Sequence, residues 1–513
     1  MGNSLDRALL AGMPLEQIKK LHSNGVTMEE IADAAERVSG EGEMMGDFRP
    51  SDYSDAGNMD KFLELTNGRL LYTDSRGWLY WDGVRWVADD HKATALAVQM
   101  SDKMLEDAQG EYKKALYEQA DAKAAGERIP ADEVKEAREY YEHAKRTRSA
   151  RYIKNMLDLA KHFRAIDPAK LDANPAELNT PIGIIDLTTG DVRESDATAL
   201  CTKVTACSPG SAGAEKWLRF LATVTNGNDS LMGFFQMVAG MALYGKVYHE
   251  GLIMAYGSGR NGKSTMFNAL SAVLGDYAGT LDISVLTTDR QNRGAALATL
   301  RGKRLIIAGE LEEGRRLSVS TIKQICSTDP MTIEEKYRSP ETVLPSHSLI
   351  IYTNYLPRVG SQDDGTWRRL TVAPFLATIT KDIPNYGAKL VEEAGPAILT
   401  WAIQGAVLFA QNRYKLQIPD IVAEITEEYR EREDWLTNFL DECCTMEPGA
   451  RAPAGELYQA YREWAESNGD YVRRSTEFVA AMESRGNVKK ISAGRKFWVG
   501  IKISCKLAYR SAM

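Results

Sequence analysis

Residues 257–265, Gly257-Ser258-Gly259-Arg260-Asn261-Gly262-Lys263-Ser264-Thr265, match the spacing G-x-x-x-x-G-K-[ST]. Each residue type has a task in holding a phosphate. The glycines let the backbone turn so that several N–H groups point at one anion. A helix starting beside the lysine turns its positive end to the same charge. Lys263 reaches β and γ phosphates as a mobile point charge, and the Ser264 hydroxyl ligates Mg²⁺. ATP and Mg²⁺ are the expected cofactors. A glycine-rich turn with an incidental lysine would spell the same letters. The flanks favour phosphate: Leu252-Ile253-Met254-Ala255-Tyr256 reads as a buried strand before the loop, and Met266 to Leu274 as a helix after it.

Hydrolysis needs an acid at the end of a neighbouring strand. Arg304-Leu305-Ile306-Ile307-Ala308-Gly309-Glu310 is an apolar run that ends in a carboxylate, with Glu312 and Glu313 close behind. Glu310 is expected to polarise the attacking water or to hold Mg²⁺ through water, and Glu312 can share that role. A further strand, Ser348-Leu349-Ile350-Ile351-Tyr352, leads into Thr353-Asn354, and an Asn354 amide there can reach the water or the γ-phosphate. Asp363-Asp364-Gly365-Thr366-Trp367-Arg368-Arg369 follows. Arg368 and Arg369 either project into a neighbouring subunit's site, where a guanidinium offsets charge on the transferring phosphoryl group, or are plain surface charge.

The rest of the chain must position these groups. Its 513 residues allow several domains. A net charge of -8 confines nucleic-acid binding to local basic patches. Cys201, Cys207, Cys326, Cys443, Cys444 and Cys505 form no Cys-x-x-Cys pair, which speaks against a zinc site and for reduced thiols in a cytoplasmic protein. No long uncharged apolar run is expected, so no membrane partner is either. Residues 1–46 read as a helical appendage, or a small helix-turn-helix, with a linker. Residues 47–210 read as an α+β domain: short strands between Tyr53 and Val87, charged helices over roughly 92–165, and a small β unit at 183–187. The ATPase core is placed at 211–385, a helical connector at 386–433 and a last unit at 434–513. The fold class expected is multidomain α/β, a P-loop core of AAA+ type between a mixed N-terminal domain and a C-terminal winged helix.

This order of motifs resembles the superfamily 3 helicases, most closely the helicase half of phage, plasmid and poxvirus primase-helicases. The resemblance rests on the loop at 257–265, Gly309-Glu310-Leu311-Glu312-Glu313, Thr353-Asn354-Tyr355-Leu356-Pro357 and the 363–369 segment. Trp78 to Trp86 and the Thr180 to Gly190 stretch are similar to the domain that precedes such helicases. The resemblance implies an ATP-dependent helicase of a phage or mobile-element replication system. It implies a homo-hexameric ring moving 3′ to 5′ on single-stranded DNA and acting on forked DNA. It also implies a pore hairpin, which here falls between Met331 and Pro345, with Lys336, Tyr337 and Arg338 at the tip. A cation and an aromatic there suit phosphate neutralisation and base stacking. Glu334 and Glu335 beside them oppose it. The stretch before Tyr53 leaves no room for a primase domain, so a primase or polymerase is expected as a separate partner.

The last unit reads as helices at about 434–444, Ala454–Ser467 and Ser475–Arg485, then a hairpin of Val488–Ile491 with Lys496–Ile503. From Arg473 to Arg510 there are ten Lys or Arg against Glu477 and Glu483. That local charge suits phosphate contact, through Lys489, Lys490, Arg495 and Lys496, all expected to be exposed. A winged helix can also dock a protein. The alternative to a helicase is a P-loop ATPase of another class, for DNA packaging or origin binding, without strand separation.

Overall fold

The computed structural model describes residues 44, 46–126, 131–287, 299–333, 341–359, 363–380, 383–492 and 495–504. The helices expected within 1–40 lie outside the described residues.

The central sheet contains β7 (Leu252–Tyr256), β8 (Ala278–Leu281), β9 (Leu305–Ala308), β12 (Ser348–Thr353) and β13 (Leu370–Pro374), in the order β13-β7-β12-β9-β8, all parallel. The inner strands are mainly apolar because both of their faces are covered, whereas the edge strand β8 leaves Thr280 exposed. Successive side chains feed two cores. Ile253, Ala255, Ile307, Ile350 and Ala373 join one, and Leu252, Met254, Ile306, Leu349, Ile351 and Val372 join the other.

The first core is built with α5 (Ala214–Val224), α6 (Asp229–Met241), α7 (Lys263–Leu274) and α10 (Tyr386–Gln411). In α10 the stretch 394–412 is uncharged, contrary to the expectation that no such run exists. It is the one helix among the described residues long and apolar enough to cross a membrane. Its apolarity has a packing cause: Ala394, Ile398, Leu399, Ala402, Ala406 and Phe409 are buried in the sheet's core.

Helices α6 and α10 meet backbone to backbone. A Cβ on Gly405 would stand 2.0 Å from the Gln236 carbonyl oxygen, and one on Gly240 would stand 2.0 Å from the Gly405 carbonyl carbon. Gly405→Ala should therefore push the helices apart and cost about 1–3 kcal/mol, read as a lowered denaturant midpoint. A midpoint equal to the native one would show that this crossing does not fix the helices.

On the opposite face lie α8 (Val319–Ile325) and α11 (Asp420–Arg432), which contribute Ile322, Ile325 and Tyr429. Between β9 and β12, β10 (Met331–Ile333) pairs antiparallel with β11 (Glu341–Val343). A hairpin thus stands where one was expected. Its tip, with Lys336, Tyr337 and Arg338, falls outside the described residues.

Ahead of the core, α1 (Asp55–Thr66), a meander of β1 (Leu70–Thr73), β2 (Gly77–Trp81) and β3 (Trp86–Ala88), and three helices, α2 (Asp90–Ala125), α3 (Ala131–Thr147) and α4 (Ala150–Arg164), enclose Phe62, Met100, Tyr140 and Met156. A second small sheet, β4 (Glu177–Thr180), β5 (Gly183–Asp186) and β6 (Val192–Arg193), packs differently. Its Leu178 and Ile185 belong to the same core as α5, α6 and β7. Apolar packing therefore runs across the boundary expected at 210.

The last unit comprises α12 (Trp435–Cys443), β14 (Cys444–Pro453), α13 (Ala454–Ser467), α14 (Ser475–Ser484), β15 (Lys489–Ser492) and β16 (Arg495–Ile503). The expected hairpin forms, and β14, which was not foreseen, adds a strand on the far side of β16. Helix α13 buries Leu457, Tyr461, Trp464 and Ala465, one face at helical spacing.

Candidate active site

Strand β7 delivers the chain to the loop and α7 carries it away. Gly257 follows the strand, where a Cβ would stand 2.5 Å from the Phe375 carbonyl oxygen. Gly262 sits at φ +86°, a left-handed conformation, with Val224 Cγ1 only 2.4 Å from where a Cβ would be. No side chain caps the start of α7 at Gly262, so its first-turn N–H groups face the loop's mouth. Asn261 is 2 % exposed and donates through Nδ2 to the Phe375 carbonyl at 3.3 Å, pinning the loop to the end of β13.

Lys263 is 4 % exposed. Its ammonium donates to the Gly257 carbonyl at 2.6 Å, to Asn261 Oδ1 at 2.9 Å and to Asn354 Oδ1 at 3.0 Å. Burial pushes its pKa down, and the charge of Glu310 works against that shift. Asn354 comes one residue after β12. A turn holds it there, in which the Thr353 hydroxyl donates to the Tyr355 carbonyl at 2.7 Å and accepts from the Tyr355 N–H at 3.2 Å. The Asn354 amide lies 3.4 Å from Glu310 Oε1. Parallel register sets this chain of contacts, since Thr353 stands level with Tyr256 and Ile351 level with Ala308.

Glu310 and Glu312 part company. Both are exposed, but Glu310 lines the cavity above the loop, whereas Glu312 is turned to Arg315, with its carboxylate 2.5 Å from Nη2. Ser264 is exposed at the cavity mouth. One hydroxyl and one carboxylate suit Mg²⁺, which keeps waters and takes phosphate oxygens for its other positions. Among the described residues no group of three or more His, Cys, Asp or Glu can hold a metal by itself.

The cavity encloses about 530 Å³, room for a nucleotide. Besides 259–265, Glu310 and Asn354, its wall includes residues that sequence reasoning missed: Lys216, Arg219, Phe220 and Thr223 of α5, then Ile379, Ile383, Tyr386 and Gly387. The Phe220 and Tyr386 rings lie 6.0 Å apart at one side, an apolar place for a base. A faint signal was present, since Lys216, Arg219, Phe220 and Thr223 share one helical face.

Arg368 and Arg369 also separate. Both precede β13, at the opposite edge of the sheet from the phosphate loop, with the Leu252 N–H donating to the Arg369 carbonyl at 2.7 Å. The Arg369 guanidinium is held within the chain by Glu250 at 2.8 Å and the Gly365 carbonyl at 2.7 Å. Arg368 is exposed.

In the last unit, Lys490, Arg495 and Lys496 are exposed, as expected. Lys489 is not: its side chain is 23 % exposed, pairs with Glu483 at 2.9 Å and lies over the Trp498 ring. Local acids explain the difference. Arg485 is likewise paired with Asp434, and Lys502 with Glu447 at 3.2 Å. The cationic surface is smaller than the count of basic residues implied.

Comparison with known proteins adds three findings. A family model described as D5 N terminal like matches residues 60–226, and a family of unknown function matches 255–369. The first match includes α5, so it supplies one wall of the cavity. The chain is 27 % identical over 334 residues to a protein named "Putative helicase" of Acanthamoeba polyphaga mimivirus, covering 59 % of this chain and 35 % of that protein. A protein of the same name from Frog virus 3 (isolate Goorha) is 25 % identical over 320 residues, covering 58 % of this chain and 33 % of that one. A "Putative primase" of African swine fever virus is 27 % identical over 242 residues, covering 42 % and 25 %. The matches thus span a quarter to about a third of those viral proteins. Among solved structures, the apo C-terminal region of NrS-1 aligns with a TM-score of 0.38 at 12 % identity, covering 57 % of this chain and 77 % of that one. The chain therefore matches the D5 N terminal like model over residues 60–226, ahead of a five-stranded parallel core, and it is similar to viral proteins named as helicases and primases.

Proposed function

We propose that the chain is an ATP-driven DNA helicase of superfamily 3 type, working as a ring on single-stranded and forked DNA. The observation that carries this reading is the contact chain Lys263–Asn354–Glu310 across the carboxyl ends of three strands, at the mouth of a nucleotide-sized cavity. Ligands of open α/β sheets bind at that edge. ATP would seat its phosphates on the 257–265 loop, Mg²⁺ would lie between Ser264 and the phosphates, and Glu310 would orient the attacking water. The strand order, with β12 between β7 and β9, supports an AAA+ type of core. The helices and antiparallel sheet of the last unit support a winged helix that tethers DNA through Lys490, Arg495 and Lys496. Movement from 3′ to 5′, a hexamer and a separately supplied primase or polymerase belong to the same proposal.

The test is a pair of substitutions. Glu310→Gln should bind ATP but release phosphate about 10²–10⁴-fold more slowly, the usual worth of a general base. Glu312→Gln should stay near the native rate, because its carboxylate is turned to Arg315. Native-rate hydrolysis by Glu310→Gln would remove the assigned acid. A strand-displacement assay on forked DNA separates a helicase from a packaging or origin-binding ATPase, which would hydrolyse ATP without unwinding.

A further inference from the structure

Four arginines, Arg316, Arg358, Arg432 and Arg473, face one recess of about 60 Å³ where the core meets the last unit. Two carboxylates are there too, Glu433 and Asp470, so the recess keeps an excess of positive charge in a chain of net charge -8. Asp470 takes the Arg358 guanidinium at 2.7 Å, and Glu433 accepts the Val359 N–H at 2.9 Å. Arg473 lies over the Trp435 ring at 4.3 Å. Arg432 is exposed. Tyr471 is 51 % exposed, with the Arg316 guanidinium 5.1 Å over one face of its ring.

We propose that this recess is a phosphate site for single-stranded nucleic acid, with Tyr471 beside it as a stacking platform. A recess of that size admits a phosphate group and not a nucleoside. Guanidiniums are the side chains best matched to a phosphate's geometry, and an exposed ring next to a cationic groove is the arrangement that holds unpaired bases. That the occupant is nucleic acid rests on the reading of the chain as a DNA motor. The recess also has a route to the ATP site. Arg316 lies just beyond Glu310 and Arg358 just beyond Asn354. Their segments are laced together, the Arg358 N–H donating to the Arg315 carbonyl and the Leu317 N–H to the Arg358 carbonyl, both at 2.9 Å. A strand held by Arg316 and Arg358 thus pulls on the segments that carry both hydrolytic side chains.

The experiment measures binding of the full chain to labelled oligo-thymidylate across a salt series. Arg432→Ala should bind about tenfold more weakly, as expected for one lost charge-assisted contact. Its log–log salt slope should be shallower by about 0.7, one counterion fewer on a single strand. Arg432→Lys should recover the slope. Tyr471→Ala should weaken binding of oligo-thymidylate and not of an abasic strand. The thermal midpoint of Arg432→Ala should not move, because the side chain is exposed. Unchanged affinity and slope in Arg432→Ala would overturn the site, and so would an equal loss on duplex DNA or competition confined to free inorganic phosphate. Oligonucleotide binding through Arg432 in a chain that hydrolyses no ATP would support the site and sink the motor. ATP hydrolysis with Arg432-independent binding would do the reverse.

Discussion

Lys263→Ala should lower the rate of ATP hydrolysis by at least about 10²–10³-fold, the loss seen when one preorganised charge donor is taken from a group-transfer site. The ammonium is buried, and its hydrogen-bond partners are neutral: the Gly257 and Ser258 carbonyls and the side-chain oxygens of Asn261 and Asn354. Such a charge lacks an anion within hydrogen-bonding reach, and burial already pushes its pKa down. In the proposed reading the β and γ phosphates of ATP would be that anion, and their arrival would free Asn354 from Lys263 to serve the water beside Glu310. Alanine removes the clamp and the cue together. Arginine is no substitute, because its planar fork does not fit where a point charge is held by four oxygens. The measurement is steady-state phosphate release, with ATP binding followed separately by fluorescence. Folding should survive, since the substitution deletes a desolvated charge instead of stranding one. Native-rate turnover by Lys263→Ala would sink the loop's assignment to catalysis.

The core was legible because its rules are local. A parallel strand covered on both faces is mainly apolar, so β7, β9 and β12 stand out as runs, and the one or two residues that follow each run are the ones the sheet presents at its edge. Glu310 and Asn354 could be picked on that ground. What stayed hidden depends on contacts distant in the chain. Arg368 and Arg369 are indistinguishable as neighbours, yet Glu250 claims one of them. Lys489 reads as one basic residue among many until α14 sets Glu483 beside it. Strand β14 was missed for a different reason. Its Glu447-Pro448-Gly449 centre spells a turn, and the sheet absorbs it as an irregularity between Met446 and Arg451. The cavity's far wall is a case of topology. Helix α5 precedes the phosphate loop and Tyr386 follows the last strand of the sheet, so only folding brings Phe220 and Tyr386 together over it.

Arg368→Ala should reduce hydrolysis in the assembled protein by about 10³-fold or more, the range for an arginine finger supplied by a neighbour, whereas Arg369→Ala should act mainly on stability. The geometry separates the two. Arg368 stands at the start of β13, and the phosphate loop follows the end of β7 beside it, about 16 Å away at a rise of ~3.3 Å per residue. Its guanidinium cannot cross the sheet to its own site, so in the proposed ring the nucleotide phosphate within its reach would be a neighbouring subunit's. Arg369 is tied to Glu250 and to the Gly365 carbonyl with its side chain only 12 % exposed, and removing it breaks both contacts. Mixing provides the test. Arg368→Ala subunits and Lys263→Ala subunits should each be inactive alone, and together they should recover part of the native rate, because some interfaces then join an intact loop to an intact Arg368. Mass measurement in solution must show that the rings are mixed. No recovery at any ratio in such rings would leave Arg368 as surface charge. Recovery by Arg369→Ala in place of Arg368→Ala would mean that Glu250 releases its partner on assembly, and that the finger is the residue the isolated subunit holds back.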